Sequence, residues 1–337
     1  MKKITIEEHF TTEEHLDYLE SIIGKRYPVP EVIQEEKFIH YEVPFLSPYR
    51  REPAVSRLLD MGEGRLRDMD EENIDMQILS LVSPGVQVFD ASTGSALAKR
   101  INDTLSETVR QYPKRFAGFA SLAPQDPGEA ADELERAVKE LGLKGACINS
   151  HTKGEYLDDR KYWIIFERAE ELGVPIYIHP RSPSSGMMEA FLDYPMLATA
   201  MAGFAAEVSL HALRLIAGGV FDEYPKLKII LGHLGEALPY WLWRMDNIYL
   251  RNPLIENLKK SPGDYFRENF YVTTSGMFWE PPLMCAYTAL GAERILFAVD
   301  YPLESNKKAV QFMEEVPISD RDKEKIYHLN AEKLFNL

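Results

Sequence analysis

Four short segments of this 337-residue chain end in side chains that bind cations or move protons. They are ITIEEHF with Glu7 and His9, PIYIHP with His179, KIILGHLGE with His233 and Glu236, and RILFAVD with Asp300. Each group follows an apolar, β-branched run, at the point where a strand gives way to a loop. Side chains alternate along a strand, so Glu7 and His9 share one face and Glu8 takes the other. A carboxylate and an imidazole at one strand end make half of a metal site. Asp300 follows four apolar residues, a costly place for a carboxylate unless it meets a cation or hydrogen-bond donors. His179, taken alone, reads more readily as a hydrogen-bonded core histidine than as a ligand. His233 lies between Gly232 and Gly235, which let backbone approach a ligand closely. It can ligate a metal, or act as acid or base with Glu236 orienting it. Glu236 also suits the first turn of a helix, where the dipole favours an acid. Four ligand-type groups at the ends of four different strands predict a divalent metal site. Two carboxylates with one or two imidazoles suit zinc or manganese.

The elements that must position these groups follow from the hydrophobic pattern. Eight short apolar runs occur in order: 4–10, 75–82, 116–122, 144–150, 175–180, 227–233, 270–276 and 294–300. Most are continuously apolar, as strands buried on both faces should be. Helical patterns over 95–112, 127–142, 159–173 and 207–219 lie between them. This alternation predicts an α/β protein, a distorted (β/α)8 TIM barrel with its functional groups at the C-terminal mouth. An open doubly wound sheet is the alternative, but no GxGxxG follows the first strand. The whole chain, 1–337, reads as one domain, with residues 11–65 as an insertion folding over the mouth as a lid. Residues 180–205 form a second rim insertion.

The fourth run ends in Asn149, where barrel hydrolases with two metals often carry a bridging carbamylated Lys. Lys144 lies at the wrong end of that run, so one metal ion is expected. Arg244, in LPYWLWRMD, can clamp an anionic or phenolic group bidentately, or pair with Asp246 or Glu236. Phe10, Phe204 and Phe278 either wall a flat pocket or pack. His15 and His40 fall in the insertion, His211 on a helix and His328 near the C-terminus. His151 is expected on a surface loop. No Ser–His or Cys–His pair and no phosphate loop stands out.

Composition bounds the partners. The net charge of −15 argues against nucleic acid and against anionic membrane. It does not exclude a small anionic substrate, because a bound cation sets the local field. Two cysteines, Cys147 in a strand and Cys285 in a helix, suggest no disulfide framework and a reducing cytoplasm. The N-terminus does not read as a signal peptide, and no uncharged run reaches the ~20 residues that span a bilayer.

ITIEEHF, IYIHPR, HALRLIAGGVFDEYPKLKIILGHLGEALPYWLWRMD, FYVTTSG and RILFAVDYPLE together resemble the metal-dependent decarboxylase branch of the amidohydrolase superfamily. That branch includes enzymes acting on dihydroxybenzoates, carboxyvanillate and aminocarboxymuconate semialdehyde. The resemblance covers nearly the whole chain, and the E-x-H start looks like the dihydroxybenzoate type. It implies metal ligation by Glu7, His9, His179 and Asp300, with His233 a non-ligand active-site histidine and Glu236 its partner. It further implies that Arg244 binds substrate, that Asn149 and Phe204 lie near the pocket, and that the protein is a homodimer or homotetramer. Residues 25–55 are longer than expected for the resorcylate type. The expected activity is non-oxidative loss of CO2 from a small hydroxylated aromatic acid, with one divalent ion, zinc or manganese, and ring protonation by Asp300. The rival is hydrolysis of a lactone, ester or amide by a metal-activated water. A hydratase and a metal-stabilised binding protein are further alternatives.

Overall fold

Strand β1 (Ile4–Phe10) lies beside β2 (Met76–Leu81), and β2 beside β3 (Phe116–Gly118), all parallel. A second parallel ladder follows in chain order: β4 (Ala120–Ser121), β5 (Ala146–Asn149), β6 (Ile176–His179), β7 (Ile229–Leu231), β8 (Phe270–Thr273) and β9 (Ile295–Leu296). The computed structural model describes residues 1–24, 54–251 and 258–337. His40 and most of the expected lid lie outside the described residues. β3 and β4 are two halves of one barrel stave broken at Phe119, whose N–H donates to Leu79 O at 2.9 Å. The ring closes between the eighth stave and the first. Glu8 and Tyr301 form a parallel bridge, His9 N–H donates to Tyr301 O at 2.7 Å, and Asp300 N–H donates to Glu7 O at 2.9 Å. The expected barrel is therefore the observed one.

Helices cover the outside where the period-3.6 pattern places them: Ala91–Gln111, Pro127–Lys139, Trp163–Leu172 and Gly203–Ala217. Asp90 and Asp126 cap the first two by accepting backbone N–H groups, and the third stops at Gly173 in the left-handed conformation, φ 66°. No described helix is long and apolar enough to cross a membrane. The helix Glu63–Glu71 begins inside the range read as insertion and leads directly into β2.

Two local departures from regular strand geometry serve the mouth. In β1, Thr5 pairs with Gln77 but Glu8 already pairs with Leu79, so Ile6 and Glu7 together oppose one residue of β2. This bulge lets Ile6 pack in the barrel interior with Ile78, Phe119 and Ile230 while Glu7 also points inward above it. In the eighth stave, expected over 294–300, the ladder stops at Leu296 and side chains take over. Thr274 Oγ1 bonds both the N–H and the carbonyl of Ala298. The buried Glu8 carboxylate accepts from Val299 N–H at 3.0 Å and Tyr301 N–H at 3.1 Å, the amides on either side of Asp300. Burial pushes the Glu8 carboxyl up to about 8, against those two N–H groups and the charge of Arg65, which favour the anion. Arg65, fully buried, stacks 4.8 Å from the Tyr301 ring and donates to His9 O at 2.5 Å and to Gln77 Oε1 at 3.3 Å. Glu8 and Arg65, both buried, thus fasten the strands that carry Asp300 and His9 through separate hydrogen bonds.

The segment after β7 differs from expectation. No right-handed helix begins at Glu236. His233, Leu234, Gly235, Glu236 and Ala237 all have positive φ, from 51° to 80°, and form a left-handed turn before the helix Leu238–Arg251. A left-handed residue other than Gly costs roughly 1–2 kcal/mol. Ser209 Oγ donating to Glu236 O at 2.6 Å and Gly235 N–H donating to Gly232 O at 2.7 Å hold the turn. Ala237 is the exposed member of the turn, at φ 64°. Replacing it with glycine, normally a destabilising change, is expected to raise unfolding free energy by roughly 1 kcal/mol in urea titration; a loss of stability would contradict the strain.

Candidate metal centre

Glu7, His9, His179 and Asp300 converge at the C-terminal ends of β1, β6 and the eighth stave. Each offers one ligand atom, and the four atoms lie within 4.8 Å of one another. His9 Nε2 is 3.0 Å from Asp300 Oδ1, and His179 Nε2 is 3.3 Å from Glu7 Oε1. Three of these atoms, Glu7 Oε1, His9 Nε2 and Asp300 Oδ1, are buried without a hydrogen-bond partner. Buried polar atoms are rarely left so. Two oxygens and two imidazole nitrogens in one small space, aimed at each other, fit a single divalent cation.

The imidazoles are aimed by the strand register. Ser80 is paired with His9 across β1 and β2, and its hydroxyl meets His9 Nδ1 at 3.2 Å. Asn149 is paired with His179 across β5 and β6, and its Oδ1 accepts from His179 Nδ1 at 3.0 Å. Each contact leaves Nε2 facing the centre, the arrangement that second partners give to metal-binding histidines. Burial, with the charge of His9, lowers the His179 pKa, the direction a ligating imidazole needs. Burial works to raise the Glu7 carboxyl, but His233, His179 and His9 hold it well below the usual carboxylate range.

His233 stands beside the cradle. Its Nδ1 bonds Glu236 Oε1 at 2.6 Å, and its Nε2 lies 3.9 Å from Glu7 Oε1 and 3.8 Å from Asp300 Oδ2. Burial pulls the His233 imidazole down, but the nearby carboxylates of Glu236, Glu7 and Asp300 push it well above its usual pKa. Asp300 is held below the carboxylate range by His233 and His9 despite its burial. Asp300 has φ 77°, and its N–H and carbonyl are tied to Glu7 O and to the N–H groups of Leu303 and Glu304.

Other expectations meet different outcomes. Asn149 stands beside the centre, its amide oxygen bonded to His179. Phe10 is buried in the core outside the barrel. Phe204 is half-buried in the first turn of the helix Gly203–Ala217, and Phe278 packs against Phe312. Arg244 is exposed on Leu238–Arg251, along an apolar groove lined also by Leu213, Ile216, Trp241 and Met245. It pairs with neither expected carboxylate: Asp246 takes Gly263 N–H and Arg267, and Glu236 takes His233. His151 is buried, not on a surface loop; its Nε2 lies 3.1 Å from Ser182 O and its Nδ1 accepts from Gly154 N–H. His15 is likewise buried, bonded to Thr11 and Gly85 O, and burial lowers its pKa to about 4.

Residues not singled out from the sequence complete the centre. Gln87, from the loop after β2, accepts Asn149 N–H at 2.6 Å and donates to Asn149 O at 3.1 Å, fixing the backbone of the residue that holds His179. Tyr177, Thr273 and Ser275 all donate to Glu7 Oε2. Tyr177 sits two residues before His179, and Thr273 two before Ser275, so alternation places each pair on one face.

Comparison with known proteins agrees with this geometry. The amidohydrolase family profile matches residues 39–337. The chain is 41% identical to a γ-resorcylate decarboxylase from Polaromonas sp., over 99% of this chain and 98% of that protein. It superimposes on 5-carboxyvanillate decarboxylase from Sphingomonas paucimobilis with a TM-score of 0.93 at 39% identity, covering 100% and 99% of the two chains. A dihydroxybenzoic acid decarboxylase from Polaromonas sp. JS666, solved with manganese and the inhibitor 2-nitroresorcinol, gives a TM-score of 0.86 at 41% identity, covering 100% and 97%. Barrel, ligand cradle and sequence together place this chain in the amidohydrolase family.

Proposed function

We propose that the protein is a metal-dependent, non-oxidative decarboxylase of hydroxylated aromatic carboxylic acids. One observation carries this reading: a buried four-ligand cradle stands directly beside a hydrogen-bonded His233–Glu236 pair that is not part of it. Glu7, His9, His179 and Asp300 hold the ion, manganese by analogy with the related structures. When bound, it supplies a Lewis acid and a template for the substrate carboxylate and its ortho hydroxyl.

The residues then divide the proton work. Losing CO2 directly would leave an aryl carbanion, so the ring carbon bearing the carboxylate is protonated first. Asp300 takes the proton of the ortho hydroxyl as substrate binds and delivers it to that carbon. The C–C bond then breaks, CO2 leaves with its former carboxylate charge neutralised, and the electron pair restores the aromatic ring as a phenolate. His233, oriented and kept charged by Glu236, hydrogen-bonds the oxygen on which charge accumulates. Arg244, whose guanidinium has no ion-pair partner among the described residues, and Phe204, at the rim, are candidate substrate contacts. Hydrolysis would use the same ligands, and the relatives at 41% identity, which are decarboxylases, weigh against it.

The protein works as a homo-oligomer in the cytoplasm on this reading. A groove of about 530 Å3 between Gly203–Ala217 and Leu238–Arg251, with Tyr240, Trp243 and Leu250 exposed on the latter helix, supports self-association; a monomer in sedimentation would contradict it. Free cysteines at 147 and 285 suit a reducing compartment.

The function is tested by stripping the protein with a chelator, reloading manganese and following CO2 and ultraviolet absorbance across a hydroxybenzoate panel. Turnover is expected only with metal and only for acids carrying an ortho hydroxyl. Loaded protein that consumes none of them but opens lactones would overturn the reading. In the same assay Asp300→Asn is expected to lower kcat by roughly 10²–10⁴-fold at full manganese occupancy; unchanged kcat with metal retained removes Asp300 as the acid. Glu236→Gln removes an upward influence on the His233 pKa. Activity that needs protonated His233 falls as pH rises through that pKa, so the alkaline limb of the rate profile is expected to move to lower pH. An unmoved limb would assign it to another group.

A further inference from the structure

We propose that Tyr177, Thr273 and Ser275 form a hydroxyl basket that confines Glu7 to one-oxygen ligation and so keeps two coordination positions of the ion open. That substrate fills those positions rests on the decarboxylase reading; the restriction on Glu7 does not.

Glu7 Oε2 accepts hydrogen bonds from the hydroxyls of Tyr177 and Ser275 and a third from Thr273 at 3.1 Å. Thr273 Oγ1 also lies 2.7 Å from Ser275 Oγ and 3.3 Å from the Tyr177 hydroxyl, so its single proton is shared between Glu7 Oε2 and these neighbours. Ser275 Oγ also accepts the N–H of His233 at 3.2 Å, so the basket joins the ligand to His233. It is packed against Gly232, where a Cβ would lie 2.9 Å from Glu7 Oε2 and 3.1 Å from the Tyr177 hydroxyl. All of these side chains are buried. An ionised carboxylate has about four lone-pair sites, roughly two per oxygen. Three donors saturate Oε2 and leave it nothing for a cation, whereas Oε1 has no partner and faces His179 Nε2. The cradle offers four ligand atoms, one from each residue. An ion such as manganese takes about six in octahedral geometry, which leaves two. An ortho-hydroxy carboxylate chelates through two oxygens. If Glu7 bound through both of its oxygens, one position would remain and the chelate would be blocked.

The experiment compares manganese-loaded wild type with Tyr177→Phe, Thr273→Val, Ser275→Ala and the Tyr177→Phe/Ser275→Ala double variant. Manganese per chain and longitudinal water-proton relaxation are measured without substrate, and binding of salicylate and benzoate is titrated. The expected result is unchanged metal content, relaxation enhancement in the double variant about half that of wild type, and salicylate binding weakened at least tenfold with benzoate unaffected. The single variants each remove one hydroxyl with little change of shape, and Tyr177→Phe should show the same direction if the double variant does not fold. Wild-type hydration in variants that keep their manganese would overturn the proposal. So would loss of manganese, because the hydroxyls would then hold the ligand rather than limit it. Halved relaxation in a protein that decarboxylates no hydroxybenzoate would uphold the restriction on Glu7 while removing the decarboxylase reading.

Discussion

Two carboxylates and two imidazoles face one another at the mouth of this barrel, their ligand atoms within 4.8 Å and three of those atoms buried without partners. Such a group is unfavourable on its own, because buried charge is stabilised only by an opposite charge or by donors. A cation supplies the missing half, and the rest of the mouth prevents the ligands from relaxing apart before it arrives. Glu8 replaces the backbone ladder of the eighth stave with a carboxylate and holds the amides on both sides of Asp300. Arg65 reaches through the wall to grip the His9 carbonyl and stack on Tyr301. The bulge in β1 turns Glu7 inward. These contacts are as buried as the ligands themselves, so the centre is built into the barrel seam and not laid on its surface.

Strain is concentrated at the same place. Asp300 at φ 77° and the left-handed turn over His233–Ala237 are conformations that side-chain-bearing residues avoid. They persist because the surroundings over-determine them, the usual situation where backbone strain meets function. The turn brings His233 and Glu236 to 2.6 Å of each other while aiming His233 Nε2 at the cradle. An ordinary helix start at Glu236 would satisfy its backbone more cheaply but would not carry both requirements. The three imidazoles of the centre are each oriented through Nδ1, by Ser80, Asn149 and Glu236, which leaves three Nε2 atoms converging on one volume.

The sequence by itself determined the barrel and the ligands. Eight buried runs alternating with helical periods leave little choice of architecture, and a cation-binding residue at the end of an apolar strand has few inexpensive alternatives. The period of two along a strand was enough to place Glu7 with His9. Tertiary structure decided everything that depends on which residues meet across strands. Ser80 opposite His9 and Asn149 opposite His179 are consequences of register, which no single run encodes. Glu8, facing away from the site, looked idle until the eighth stave arrived beside it. Arg65 lay in a stretch read as insertion, and its role exists only because its helix packs on the closing seam. Arg244 lines a groove between two helices, a placement set by helical phase and not by its aromatic neighbours in the chain. Local pattern sets which element a residue joins and which face it takes; the neighbours that convert a side chain into a ligand, a clamp or a bystander come from distant parts of the chain, and only the closed barrel brings them within hydrogen-bond reach.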